Sequence, residues 1–138
     1  MKRKALRVIA IIVIIVMLMS TVAFATVEAS AYIAATSAGI IRDGDTVSVN
    51  FYIVGTDTMD LIGVKYIYLY ELNGSTWSLV KTYSYTSPLY AATLMVSNSS
   101  SNAGSVNYSG SAEKQYYALC WFYAEKDGGH DSLPQNAY

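Results

Sequence analysis

The feature that most constrains the fold of this 138-residue chain is a strict alternation of apolar and polar side chains between Thr46 and Ile53. Every second residue of the stretch is apolar, and Phe51 is the largest of these apolar residues. The stretch follows a turn signal at Asp43-Gly44-Asp45 and ends at Gly55. Alternation with a period of two residues predicts a β-strand with one buried face. We therefore expect Phe51 in the core.

Short apolar or alternating segments recur along the chain, separated by turn signals. Besides 46–54, strands are predicted over residues 31–41, 64–71, 77–85, 89–96, 106–108 and 116–125. Residues 55–63 are predicted to form a connection that plugs one end of the core, and 97–104 a polar loop. Pro134 lies where a last strand would run. About seven strands without helical periodicity predict an all-β fold, an antiparallel two-sheet β-sandwich, with a small closed barrel as the alternative.

The segment from Tyr116 to Glu125 is apolar on both faces, which predicts a strand in the middle of its sheet. It contains Cys120, the only cysteine of the chain, so no disulfide within the chain can form. A cysteine between apolar neighbours in a strand is expected to be a small buried hydrophobe rather than a nucleophile or an intermolecular bridge. Phe122, the largest apolar residue on the same side of the strand, is expected in the core.

The N-terminus has the order of a secretory signal peptide. Four basic residues within the first seven precede the apolar run 8–19, and Ala23-Phe24-Ala25 supplies a cleavage motif of small residues. We predict a signal helix over residues 1–25, with cleavage after Ala25 or, at the repeated motif, after Ala31. A single domain over 32–138 follows, secreted or held at the cell surface. An uncleaved membrane anchor is the alternative, and the signal segment is the only expected membrane contact.

Removal of the signal leaves five basic residues against ten carboxylates, so the exported part has a formal charge of −5. An acidic domain with scattered lysines lacks the basic surface that nucleic acids or anionic lipids require. Its partner is expected to be an extracellular protein or a glycan. The domain is expected to be a monomer.

The segment from Ala112 to Cys120 resembles the entry into strand F of immunoglobulin-like and fibronectin type III-like domains. There a tyrosine caps the preceding corner by a hydrogen bond to the backbone; Tyr116 matches that position and Tyr117 is the alternative. The chain is also similar to small secreted, single-domain β-sandwich proteins of Gram-positive bacteria. The residues that carry this likeness are Ala31-Tyr32-Ile33, Gly55-Thr56 with Met59-Asp60 and Ile62-Gly63, Tyr70-Glu71 with Asn73-Gly74 and Trp77, and Tyr116-Tyr117-Ala118 through Phe122-Tyr123-Ala124. The resemblance implies this sandwich fold and export, and transfers no active site.

Side chains that could carry chemistry are few. One histidine, His130, and one cysteine cannot supply a zinc site, and no acid, base and nucleophile converge in the sequence, so neither an enzyme nor a cofactor is expected. Asp127 and Asp131 flank a glycine turn and are weak candidates for a calcium site. An aspartate beside glycine is also ordinary turn chemistry, which is the preferred interpretation.

Tyr66, Tyr68 and Tyr70 alternate along one predicted strand and are named here the tyrosine ladder. They project from one face at steps of ~6.6 Å, twice the rise of a strand. An exposed row of this kind can stack on sugar rings or contact a protein, whereas a packed row only stabilises the sheet. The predicted function is a non-catalytic binding or adhesion module. The alternative is a small carbohydrate-binding accessory protein that uses the tyrosine ladder.

Overall fold

The computed structural model describes residues 30–138, and over them the prediction of an all-β fold is confirmed. Six antiparallel strands and one helical turn follow in the order β1 (Ile33–Asp43), β2 (Thr46–Asn73), β3 (Thr76–Ser84), α1 (Ala91–Leu94), β4 (Met95–Ser109), β5 (Tyr116–Lys126) and β6 (Gly129–Ala137). The predicted signal peptide 1–25 lies outside the described residues.

Strand β2 organises the sheet because it is 28 residues long and pairs with four other strands. Its first part, from Thr46 to Gly55, lies between β1 and β4 and forms with them the first half-sheet. Its last part, from Val64 to Asn73, lies between β3 and β5. β6 pairs with the far edge of β5 and completes this second half-sheet. The sheet curls where β2 passes from one half-sheet to the other.

The predicted connection 55–63 is wrong, because these residues continue β2. The strand changes register between Val54 and Met59, and Met59 and Ile62 are buried at this bend. Glycine at position 63 allows the backbone at the end of α1 to come close: a Cβ there would lie 1.9 Å from the carbonyl oxygen of Leu94. The glycines that suggest a loop in the sequence therefore allow tight packing at a bend.

One buried cluster lies inside the curl, and the alternation of β2 and β5 builds most of it. Phe51, Cys120 and Phe122 are all buried, on the sides of their strands that the alternation predicts. Tyr83 of β3 is also fully buried, and its hydroxyl donates a hydrogen bond to the carbonyl oxygen of Asn107 in β4, at 2.8 Å. This bond ties the outer strand of one half-sheet to the outer strand of the other.

The strand predicted over 89–96 and the loop predicted over 97–104 are both wrong. Residues 91–94 form the single turn α1, and the serine- and asparagine-rich stretch after it belongs to β4. The buried Asn102 explains part of this, because its side-chain amide donates to the carbonyl oxygens of Thr93 (3.3 Å) and Leu94 (3.1 Å). A buried amide that satisfies backbone acceptors fixes the strand despite its polar composition.

A complete last strand, β6, forms although it contains Pro134. Pro134 lies opposite Trp121 of β5. Among the described strands, β6 pairs only with β5, so it lies at the edge of the sheet. Proline lacks a backbone N–H, and edge strands accept it because one row of their backbone groups has no strand to bond.

Candidate binding surface

The outer side of the second half-sheet carries a continuous set of aromatic and apolar side chains. Since Ile67 and Leu69 are buried, the alternating tyrosine ladder lies on the outer side of β2. The strand register brings residues of three neighbouring strands beside it. We call the whole set the aromatic face: Tyr66, Tyr68, Tyr70, Leu72, Trp77, Leu79, Tyr117, Leu119, Trp121 and Pro134.

The tyrosine ladder is half-buried because its rings pack on other rings. Tyr66 and Tyr68 stack with ring centroids 5.9 Å apart and planes 20° apart. Tyr70 stacks on Tyr117 across the strands at 4.7 Å and 8°, and Trp77 meets Tyr117 edge-on at 4.8 Å. Each ring of the ladder thus has one face covered by a neighbouring ring.

Besides Tyr138, which is 78% exposed and packs beside Tyr117, three large side chains around the ladder remain open to solvent. Trp77 is 39% exposed and Leu79 is 51% exposed on β3, and Trp121 is 37% exposed on β5. Sequence reasoning missed them as surface residues. The signal was present for Trp121, since it follows the buried Cys120 and must point to the other side of the strand.

The ten side chains that define the aromatic face are uncharged, and Lys81 is exposed on β3 between Leu79 and Thr82. The remaining outward positions of the face on the edge strands hold Thr82 and Ser84 of β3 and Asn136 of β6. Further charges appear at one end of the second half-sheet, where the Lys65 ammonium lies 3.7 Å from the ring centroid of Tyr123. There the Tyr123 hydroxyl donates to the carboxylate of Glu125, and burial together with this bond raises the Tyr123 pKa to about 12.

At the opposite end, Tyr116 points to the inner side and its hydroxyl takes part in two hydrogen bonds. It accepts from the backbone N–H of Ser111 at 2.8 Å and donates to a carboxylate oxygen of Glu71 at 2.7 Å. Glu71 also accepts a hydrogen bond from the Lys114 ammonium at 2.8 Å. The Lys114 hydrogen bond is the larger cause and the Tyr116 hydrogen bond the second cause that lowers the pKa of Glu71. Burial, together with the hydrogen bond to Glu71, raises the pKa of Tyr116. Tyr117 lies on the outer side instead.

The two weak calcium candidates have separate roles. One carboxylate oxygen of Asp131 accepts hydrogen bonds from the Ser30 hydroxyl at 2.5 Å and the Tyr32 backbone N–H at 3.1 Å. The Ser30 bond first, then the Tyr32 bond, lower the Asp131 pKa. Asp127 has a positive φ of 52° in the β5–β6 turn, and its backbone N–H donates to Asp60. Over residues 30–138, no three or more His, Cys, Asp or Glu side chains gather as a metal site would require.

Cys120 and His130 are not placed to act together. The thiol of Cys120 is fully buried, and burial raises its pKa to about 12, so it stays protonated at neutral pH. His130 pairs opposite Glu125, five residues further along β5, which corresponds to ~17 Å of strand. The His130 ring packs beside that of Tyr123, with centroids 5.5 Å apart.

A shallow open groove of about 310 Å³ lies along β1 and the start of β2, and Tyr138 of its lining packs beside Tyr117 of the aromatic face, with ring centroids 6.0 Å apart. Its lining includes Ile40, Asn50, Tyr52 and Tyr138, and the backbone N–H of Ile40 donates to the carbonyl oxygen of Tyr138 at 3.4 Å. Tyr52 is 47% exposed on the outer side of the first half-sheet.

Comparison with models of protein families, with curated proteins and with solved structures finds no match to this chain. Within residues 30–138, no helix has the length and apolar character needed to cross a membrane.

Proposed function

We propose that this chain is an exported, non-catalytic β-sandwich of the immunoglobulin-like or fibronectin III-like type that binds an extracellular partner through its aromatic face. The sandwich assignment is supported by the strand opened by Tyr116, which pairs with the strand that ends at the Asn73-Gly74 hairpin. Strands F and C are neighbours in the same way in those domains. The hydrogen bond between the Tyr116 hydroxyl and Ser111, five residues upstream, supports the corner position.

The aromatic face is the single observation that carries the binding role. Protein interfaces have uncharged centres that are enriched in tyrosine and tryptophan, with polar groups around them. Packed tyrosine rings lose little side-chain entropy on binding and offer hydroxyl groups for hydrogen bonds. The exposed Trp77, Leu79 and Trp121 surround such a centre here.

A protein partner fits this geometry better than a sugar. Stacking on a sugar needs an open flat ring, and one face of each ladder tyrosine is already covered, most closely where Tyr70 stacks on Tyr117. The face therefore presents ring edges and hydroxyl groups, which suit the mixed surface of a protein.

Export is supported by the order of basic segment, apolar run and Ala23-Phe24-Ala25 motif in the sequence. A binding role is proposed rather than catalysis because the sequence offers a single histidine and a single cysteine.

The test is binding of the exported chain to three immobilised probes: host mucin, cell-wall polysaccharide and a cell-surface protein extract. Trp121→Ala and Trp77→Ala are compared with Tyr52→Ala, which removes an exposed tyrosine from the other half-sheet. We expect binding to the protein probe, weakened about tenfold or more by either tryptophan variant and unchanged by Tyr52→Ala. Preferred binding to the polysaccharide would favour the carbohydrate alternative. Equal loss in all three variants would contradict the assignment of the face.

A further inference from the structure

The groove along β1 and β2 has an open floor on the outer side of the first half-sheet. Ser37 and Gly39 of β1 pair opposite Tyr52 and Asn50 of β2, and all four residues line the groove. Because Phe51 between them is buried, Asn50 and Tyr52 lie on the outer side. Apart from its chain neighbours, no atom of residues 30–138 lies within 4 Å of the Cβ position of Gly39, so the floor is hollow beside Asn50. The volume of about 310 Å³ lies at the lower end of the range of clefts that bind small molecules, about 300–1,000 Å³.

The ring of Tyr52 is open to a ligand in a way that the rings of the tyrosine ladder are not. Tyr70 of the ladder is covered by the ring of Tyr117, at 4.7 Å between centroids. Across the strands, Tyr52 has only the small side chains of Ser37 and Ala103 beside it, and 47% of the residue is exposed. An open ring of this kind can stack on the apolar C–H face of a sugar.

The polar groups that line the groove suit the hydroxyl groups of a neutral sugar. The amide of Asn50 offers donors and an acceptor, and the hydroxyl groups of Ser37 and Tyr52 each offer both. The nine described residues of the lining carry no charged side chain, so an ionic ligand finds no counter-charge there. We propose that the groove binds one ring of a neutral pyranose sugar, whose C–H face stacks on Tyr52 and whose hydroxyl groups bond to Asn50 and Ser37.

The groove and the aromatic face are neighbouring but separate sites. Tyr138 of the groove packs beside Tyr117 of the face, whereas Tyr52 and Asn50 belong to the first half-sheet. The proposal therefore does not depend on the protein-binding role of the face. A shallow groove covers only part of a sugar ring, so the Kd should be on the order of 1 mM. A free sugar and a sugar unit of a glycan chain offer the same chemistry to this site.

NMR titration of the exported chain tests the proposal with three neutral probes: methyl β-galactoside, methyl β-glucoside and methyl N-acetyl-β-glucosaminide. We expect at least one of them to bind, with signal shifts confined to the backbone amides of residues 37–41 and 50–52. The methyl glycosides of galacturonic and glucuronic acid are the anionic counterparts and should bind several-fold more weakly. Retention on an immobilised polysaccharide of the same sugar identifies a glycan chain as the source of the ligand, and binding of the glycoside alone identifies a free sugar.

Two variants remove different parts of the site. Tyr52→Ala removes the stacking ring, and Gly39→Val fills the hollow in the floor, so each should weaken binding about fivefold or more. Tyr52→Phe keeps the ring and should bind within about threefold of the wild-type chain. Trp121→Ala on the aromatic face is the control and should leave sugar binding unchanged. Circular dichroism melting checks that each variant folds, and the open space at Gly39 makes valine tolerable there.

Three results overturn the proposal. They are the absence of binding by all three neutral glycosides up to about 20 mM, binding that survives both Tyr52→Ala and Gly39→Val, and equally strong binding of the anionic counterparts. Sugar binding that is lost in Trp121→Ala but kept in Tyr52→Ala would place the sugar on the aromatic face and also overturns it. A chain that binds the protein probe but no glycoside defeats only this inference, whereas a chain that binds a glycoside but no protein probe defeats only the proposed role of the face.

Discussion

Tyr116 combines a buried ring with a hydroxyl that bonds both the backbone of Ser111 and the side chain of Glu71. Tyr116→Ala should lower the free energy of unfolding by ~3–5 kcal/mol, because it removes a packed ring and the bonds together. Tyr116→Phe should cost ~1–2 kcal/mol, because only the bonds are lost. Urea denaturation measures both values. Tyr117→Phe on the outer side is the control and should be close to neutral, so a greater loss there would contradict the corner assignment.

The carboxylate of Glu71 makes stability depend on pH. Its pKa in the folded chain is lowered from the usual 4.5, chiefly by the Lys114 hydrogen bond, so the folded state favours the charged form. The contribution is fully present above pH 4.5 and is lost as pH falls through the lower, folded pKa. Because Lys114 is partly exposed, the contribution should be about 1 kcal/mol.

Urea midpoints of the wild-type chain and Glu71→Gln, measured from neutral pH down to about pH 3, test this dependence. Their difference should shrink with acid, because the wild-type chain loses a contribution that the variant lacks. Glu113→Gln, which removes the carboxylate of an exposed neighbour and leaves the bond between Glu71 and Lys114, is the matched control at each pH. A pH-independent difference for Glu71→Gln would contradict the assigned role.

Single residues differ in how far the sequence predicts them. The burial of Phe51 and Phe122 follows from alternation within their own strands. Tyr83 and Asn102 could not be found in that way, because their hydrogen-bond acceptors belong to other elements: Asn107 for Tyr83, and Thr93 and Leu94 for Asn102.

At the scale of elements, the bend of β2 depends on Gly63. Gly63 pairs with Met95 of β4 on one side and Tyr123 of β5 on the other, and a side chain there would overlap the Leu94 carbonyl. Gly63→Ala should therefore cost about 3 kcal/mol or more, since β4 must move away. Gly39→Ala in β1 is the control: no atom lies within 4 Å of its Cβ position, so a change within about 0.5 kcal/mol is expected. Equal costs in thermal unfolding would contradict the close approach.

The same bend explains why the sequence predicts that strands exist better than it predicts where each strand begins and ends. Gly55 and Gly63 suggest the ends of two strands, and the stretch 97–104 has the composition of a loop. Long-range pairing overrides both signals, because Leu61, Ile62 and Gly63 pair with β4 and β5 at once. Local composition cannot report a partner that arrives from more than thirty residues away.

At the scale of the whole molecule, the contacts of Ser30 and Ala31 predict different stabilities for the chains that the two predicted cleavage positions would leave. The Ser30 hydroxyl accepts from the Ile33 N–H at 2.7 Å and donates to Asp131, and the Ala31 carbonyl accepts from the Thr56 hydroxyl at 2.8 Å. Cleavage after Ala31 would remove these groups, at a cost of ~1–3 kcal/mol.

A chain that begins at Thr26 keeps these contacts of Ser30 and Ala31, whereas a chain that begins at Tyr32 lacks them. A recombinant chain that begins at Tyr32 should unfold at lower urea concentration than one that begins at Thr26. Equal stability of the two chains would contradict a structural role for Ser30 and Ala31.

The aromatic face is a feature of the whole molecule, because its residues come from several strands. Its tyrosine ladder could be predicted from one strand, but Leu79 and Trp121 join it only through the registers of β2 with β3 and β5. A surface assembled from separate strands is not visible in any one segment of the sequence.

The passage of β2 through both half-sheets bears on how long the chain survives in the presence of proteases. Opening either half-sheet exposes part of a strand that the other half-sheet also holds, so local opening is costly and the domain should unfold as one cooperative unit. Proteases cleave only an opened segment of a folded protein. When the domain opens only as a whole, the rate of cleavage depends on the small population of globally unfolded chains. A single continuous strand can thus give a chain without disulfides the resistance to degradation that many extracellular proteins owe to cross-links.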